Sequence, residues 1–193
     1  KSFDLRGNVL EQSIITLDGE TGGVINTVNV VNSNYDKRGN AGKSVRVTFD
    51  EKGEMINTTE TINKSFDKRG NVLEQTVVTK DPSGLFISSV EIENSNFDKR
   101  GNPGHVVRKS YDDKGVLFEV QDVTNSKFDS RGNTLEQTVL TKDDKGNLLS
   151  KSVVKNDKFD SRGNTLHSVR TNYDDKDNVI DITDITSKKF DSR

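Results

Sequence analysis

Between Val72 and Thr79 the side chains alternate as an extended strand requires. Leu73, Gln75, Val77 and Thr79 fall on one face, and Val72, Glu74, Thr76 and Val78 on the other. Neither face is wholly apolar. Similar runs of about ten and thirteen residues, rich in Val, Ile, Thr and Phe, recur along the whole chain between short polar clusters, which is strand composition. Helix is disfavoured by the β-branched content, by scattered Asn and Gly, and by the lack of any sustained i, i+3, i+4 apolar stripe. The pattern predicts an all-β protein.

The polar clusters are periodic. The motif aromatic-Asp-x-Arg-Gly-Asn begins at Phe3, Tyr35, Phe66, Phe97, Phe128 and Phe159, at spacings of 32 and then 31 throughout, and Phe190-Asp191-Ser192-Arg193 starts a further copy. Residues 1–193 therefore read as one continuous array of six units (3–34, 35–65, 66–96, 97–127, 128–158 and 159–189) plus the start of a seventh. The one extra residue falls in the stretch Leu17 to Gly22. A second element, Asp-x-x-Gly, follows about half-way through most units, at Asp50–Gly53, Asp81–Gly84, Asp112–Gly115 and Asp143–Gly146, with Asp174-Asp175-Lys176-Asp177 in its place in the last. A longer period of 62 is superimposed: Val72 to Val77 matches Thr134 to Val139, and Val-Arg recurs at Val45, Val107 and Val169. Duplication of a two-unit block accounts for it.

Asp81-Pro82-Ser83-Gly84 has the chemistry of a type I turn closed by a glycine bulge. Asp can bond the backbone ahead of it, Pro presets φ, and Gly accepts the positive φ that follows. Asp-x-Arg-Gly suits the same geometry, so Gly101 is expected at positive φ. Such turns join antiparallel neighbours, and a turn at both ends of every strand predicts tandem 31-residue repeats forming an antiparallel β-hairpin meander. The alternative is a β-solenoid with one coil per unit, for which Asn32, Asn63, Asn94, Asn125 and Asn156, spaced 31 apart, would form an asparagine ladder. A solenoid would also stack Arg38, Arg69, Arg100, Arg131 and Arg162 about 4.8 Å apart, whereas a meander doubles that spacing.

Composition limits what such a chain can do. Hydrophobic residues make up 29% and mean hydropathy is −0.78, far below the roughly 45–50% apolar content of an ordinary domain. Local regularity must supply the order that a thick core cannot. The net charge of −2 argues against nucleic-acid binding, no run approaches the ~20 apolar residues of a membrane span, and without Cys there is neither disulfide framework nor thiol chemistry. The first ten residues lack the apolar core of an export signal.

Candidate chemistry is sparse. His105 and His167 lie 62 apart at equivalent places, where the first block has Lys43. With no Cys and no second His in the same unit they read as copied surface residues rather than metal ligands or catalytic bases. A triad needs one distinguished constellation, and a repeated sequence offers no unique place for it, so no enzyme and no catalytic, cofactor or metal residue is expected. The paired acids Asp112-Asp113, Asp143-Asp144 and Asp174-Asp175-Lys176-Asp177 leave Ca²⁺ as the one cofactor to consider, although the full Asp-x-Asp-x-Asp-Gly spacing is missing and Lys114, Lys145 and Lys176 intrude. The Asp and Arg of the main motif read as a turn-stabilising pair. Aromatics are 6% with no Trp, and most precede the turn Asp, where cross-strand packing explains them better than a sugar platform does. Asn57-Thr58-Thr59 and Asn63-Lys64-Ser65 match glycosylation sequons, as an Asn- and Thr-rich chain will by chance.

Phe-Asp-x-Arg-Gly-Asn, with Tyr35-Asp36 and Tyr111-Asp112 as variants, resembles the YD-repeat of bacterial Rhs-type surface and toxin proteins. The resemblance implies a long sheet of β-hairpins and, as one role, a section of a shell that encloses a toxin. The principal expectation is a non-enzymatic structural segment of a secreted or cell-surface protein: a stalk, fibre or adhesin shaft. A glycan-binding surface module is the remaining alternative. Lys1-Ser2-Phe3-Asp4 and Lys189-Phe190-Asp191-Ser192-Arg193 stand at nearly the same phase of the unit, so the expected partner is another copy joined end to end, or neighbouring repeats of a longer chain, with lysines at the ends opposing uncontrolled pairing.

Overall fold

The computed structural model describes Lys1–Ser187, so Lys188, Lys189 and the start of the seventh motif lie outside the described residues. All regular structure among those residues is β. The strands are β1 (Ser2–Phe3), β2 (Val9–Leu17), β3 (Val24–Tyr35), β4 (Ala41–Phe49), β5 (Met55–Phe66), β6 (Val72–Lys80), β7 (Phe86–Ser95), β8 (His105–Tyr111), β9 (Leu117–Phe128), β10 (Thr134–Lys142), β11 (Leu148–Phe159), β12 (Thr165–Tyr173) and β13 (Val179–Thr186). Their order in the sheet is their order in the chain. Every pairing with a described register is antiparallel. This is the hairpin meander, and it excludes the solenoid, whose successive coils would stack in parallel.

The asparagines that suggested a ladder have another use. Asn32, Asn63, Asn125 and Asn156 each donate Nδ2 sideways to a carbonyl at or just before the start of the preceding strand, those of Val9, Ala41, Pro103 and Thr134, at 2.9–3.1 Å. Their period of 31 reflects one backbone carbonyl per unit that needs a donor beyond the last ladder pair.

The chain divides into two compact units, Lys1–Ile92 with Ser110–Val116, and Glu93–Lys109 with the residues from Leu117 onward. In the first, β1 to β6 form successive hairpins and Val30, 7% exposed, is the one buried apolar side chain among the described residues. The second unit, with β9 to β13, has none. Most strand residues are half-buried by their neighbours within the sheet. Hydrogen-bond ladders, cross-strand pairs and turns therefore carry the stability in place of a core.

Alternation is interrupted next to the turns. Phe66 pairs with Val72 but Ser65 pairs with Glu74, so Leu73 is an extra residue at a bulge. The simple reading that places Val72 on the same face as Glu74 is therefore corrected: the bulge consumes one step of the alternation. The hairpins at the other edge do the same. Leu17 pairs with Val24 and Thr16 with Asn26, and Phe49 pairs with Met55 and Thr48 with Asn57, which leaves Ile25 and Ile56 at the extra position.

Candidate functional site

The recurring motif builds one edge of the sheet, and its polar groups are used in building it. In the turn Asp36–Asn40, Asp36 Oδ1 accepts from the amides of Arg38 and Asn40 at 2.8 and 3.0 Å, while its Oδ2 accepts from Asn40 Nδ2 at 2.9 Å. The turns at Asp4, Asp67, Asp98, Asp129 and Asp160 repeat the arrangement. The Asp36 and Asp98 carboxyls are held below the ordinary carboxylate value, first by the Asn side-chain amide and then by its backbone N–H. Gly39, Gly70, Gly101, Gly132 and Gly163 all have φ near +90°, as the type I turn with a glycine bulge requires.

The arginines reach past their own turn. Arg38 Nη1 donates to the carbonyl of Asp67 at 2.8 Å, and Arg131 Nη1 to that of Asp160 at 2.9 Å. The pairing within the turn expected from sequence is the longer contact, 3.9 Å from Arg69 Nε to Asp67 Oδ2 and 3.8 Å from Arg131 Nε to Asp129 Oδ2. Asn8, Asn40, Asn102 and Asn133 also lie against the glycine of the next motif turn, 2.6–2.9 Å from where a Cβ would stand on Gly39, Gly70, Gly132 and Gly163. A small cleft of about 210 Å³ between two such turns is lined by Arg131, Asn133, Ser161, Arg162 and Gly163.

The turns of the opposite edge do not pack in this way. A Cβ on Gly53, Gly84, Gly115 or Gly146 would meet nothing within 4 Å. In the candidate calcium loops the aspartates are committed to the backbone. Oδ1 of Asp112, Asp143 and Asp174 each accepts two amide N–H groups, and Oδ2 of Asp143 and Asp174 accepts from Asn147 and Asn178. Among the described residues no three His, Asp or Glu side chains are grouped to hold a metal ion.

The histidines take part in a repeated cross-strand pair. Lys43 Nζ lies 2.9 Å from Glu60, His105 Nε2 2.8 Å from Asp122, and His167 Nε2 3.1 Å from Asp184. Both members of the pair recur every 62 residues. Sequence reading recognised the histidines as equivalent to Lys43, and the acid seventeen residues later, with the same period, was the signal it missed. His167 has a second acid, Asp157, at 2.5 Å from Nδ1, and its pKa is raised, first by that hydrogen bond. His105 instead has Ser95 Oγ at 3.3 Å from Nδ1.

Beside β2, where β1 stops after pairing Ser2 with Glu11 and Phe3 with Val9, a groove of about 410 Å³ lies among Lys1, Ser2, Glu11, Gln12, Ser13 and Asn29 to Val31. No aromatic ring lines this groove or the turn cleft.

No family model matches the chain, and no curated protein matches it. Among solved structures it is similar to a chain of the crystal structure of TcdB2-TccC3-Cdc42, at 15% identity and a TM-score of 0.16, covering 96% of this chain and 11% of that one. The chain thus spans about a tenth of the neighbour's length. The likeness is loose.

Proposed function

We propose that this chain is a structural repeat segment, a length of shaft or fibre in a secreted or cell-surface protein, with no enzymatic role. The observation that supports this best is how the motif spends its chemistry. In turn after turn its Asp, Arg, Gly and Asn fold the turn itself or brace the next one, and none of them converges on a reactive site. An array built in this way gains stability with each unit added.

End-to-end growth fits the same reading. Among the described residues Ser13–Leu17 of β2 have no strand on the β1 side, and β13 is the last strand of the sheet order, with every residue exposed. Such edges are templates for strand addition, whether by another copy or by neighbouring repeats of a longer chain. A section of a toxin-enclosing shell, the role suggested by the YD-repeat resemblance, is the second reading and needs the same hairpins. Electron microscopy of the purified segment, with sedimentation over a concentration series, tests the proposal. Filaments of sheet width support the shaft, and a compact monomer at every concentration overturns it.

A further inference from the structure

The two faces of the sheet differ beside the Asp-x-x-Gly edge. In the first unit Leu17 pairs with Val24, Ile15 with Thr27, Thr27 with Phe49, and Phe49 with Met55. Directly paired residues share a face, and Ile15 and Leu17 are two apart on one strand, so Ile15, Leu17, Val24, Phe49 and Met55 lie together. Of these, Ile15, Leu17, Val24 and Met55 remain 39–58% exposed, as do the adjoining bulge residues Ile25 and Ile56. At the same level the opposite face presents Thr16 paired with Asn26 and Thr48 paired with Asn57, and Ile14 with Val28 only further in.

The second unit repeats this independently. Lys151 pairs with Tyr173 and Tyr173 with Val179, Ile182 follows on the same face through Thr171, and Leu149 and Ile180 occupy the bulges. Leu149, Val179, Ile180 and Ile182 are all more than half exposed. The position that forms the bulge at Ile25, Ile56, Leu149 and Ile180 keeps its class through the repeat: with Ile87 and Phe118 these residues stand 31 apart, and each is exposed. Its counterparts in the motif hairpins, Leu10, Leu73, Leu135 and Leu166, are half-buried.

We infer that this apolar face is a docking surface for a second copy of the chain, packed sheet against sheet. The first-unit patch alone has about the area needed. Six half-exposed aliphatic chains leave roughly 500 Å² per copy, so two facing patches bury about 1,000 Å², where specific interfaces begin. A sheet with one apolar face reaches a stable architecture by gaining a second layer, and a patch that meets its own copy gives a closed, isologous pair.

The pairing carries a charge signature. In the pair inferred, the two-fold axis runs along the strands and so brings together the turns that border the patches, whose charged residues are Asp18, Glu20, Asp50, Glu51 and Glu54 with the single cation Lys52. Across sheets about 10 Å apart these carboxylates repel, over a distance that salt screens: the Debye length falls from ~8 Å at physiological ionic strength to ~3 Å at 1 M. Association through this face therefore tightens as salt rises. Contact between the acidic edge of one copy and the motif edge of another, where Lys37, Lys68 and Lys99 add to one Arg and one Asp per turn, would weaken instead.

Sedimentation velocity of the purified chain from 50 mM to 1 M NaCl, with Ile15→Lys on the apolar face and Thr16→Lys on the other, tests this. The expected result is a reversible dimer that tightens with salt, is weakened at least tenfold by Ile15→Lys, and survives Thr16→Lys. Far-UV circular dichroism checks that the variants fold, and Met55→Lys replaces Ile15→Lys if that one does not. A monomer at all salt concentrations, association that weakens with salt, or equal loss in both variants overturns the inference. End-to-end growth is scored separately with Asp184→Pro on the outer strand, where the N–H points away from β12, so that proline blocks strand addition and leaves the β12–β13 ladder and the face-to-face dimer intact.

Discussion

Asn40 places its carboxamide oxygen 2.9 Å from the point where a Cβ would stand on Gly70, one motif turn further along the chain. Gly70 is thus held to glycine twice, by its φ of +90° and by this neighbour. Gly53, with φ of +81° and open space around it, is held only once. Alanine at Gly53 should cost about 1 kcal/mol for the left-handed backbone. Alanine at Gly70 should cost roughly 1–3 kcal/mol more, because the Asn40 side chain is fixed by Asp36 and yields poorly. Equilibrium unfolding in urea gives both values, and Asn40→Ala in the Gly70→Ala background should recover part of the excess. Equal costs at the two glycines would show that the motif turns do not pack on one another.

A second relationship explains why the second and fourth units carry Ala41-Gly42 and Pro103-Gly104 after the motif, where the other units have Val or Thr followed by Leu. Asn34 has φ of +55°, and its carbonyl oxygen lies 2.7 Å from the Cβ position of Gly42; Asn96 and Gly104 repeat this at the same distance. Gly42→Ala should destabilise by roughly 1–3 kcal/mol through this clash, although φ there is not positive. Asn34→Gly should be nearly neutral, since glycine takes up the left-handed conformation freely. A harmless Gly42→Ala in thermal unfolding would count against the close approach.

These cases mark how much of the structure could be read from the sequence. Strand composition, the 31-residue period and the Asp-Pro-Ser-Gly turn are local signals, and the meander follows from them. The bulges at Leu73 and Ile56 were not legible, because strict alternation and alternation with one extra residue look alike until the partner strand fixes the register. The final Asn of the motif was visible as a letter but not as a function, since it acts on the Asp of its own turn and on the glycine of the next. The partner of His167 lay across a hairpin at Asp184, where only a matching 62-residue period gives it away.

Acid should dismantle the motif edge. The depressed pKa of Asp36 and Asp98 means that their contribution is present above the ordinary carboxylate value of 3.8 and is lost as pH falls through the lower folded value. Six turns share this dependence on carboxylates, so the melting temperature should drop steeply below about pH 4. Asp98→Asn should lower it at pH 6 and make little further difference at pH 3. A variant as far below the wild type at pH 3 as at pH 6 would mean that the carboxylate charge is not what the turn uses.

The last strand should respond to pH in the opposite sense. His167 sits between Asp157 on β11 and Asp184 on β13, and its pKa is raised above 6.5, first by the hydrogen bond to Asp157. A raised folded pKa means that the bridge contributes fully below the unfolded value near 6.5 and loses its contribution as pH rises through the folded one. Amide protection in β13, corrected for intrinsic exchange, should therefore fall between pH 6 and 9, while that of β4 and β5, joined by Lys43 and Glu60, holds constant. His167→Lys copies the first block and keeps its charge over this range, so it should retain the bridge and remove the pH dependence. Protection of β13 that declines with pH just as steeply in His167→Lys would assign the effect to some other group and sink the histidine bridge as its cause.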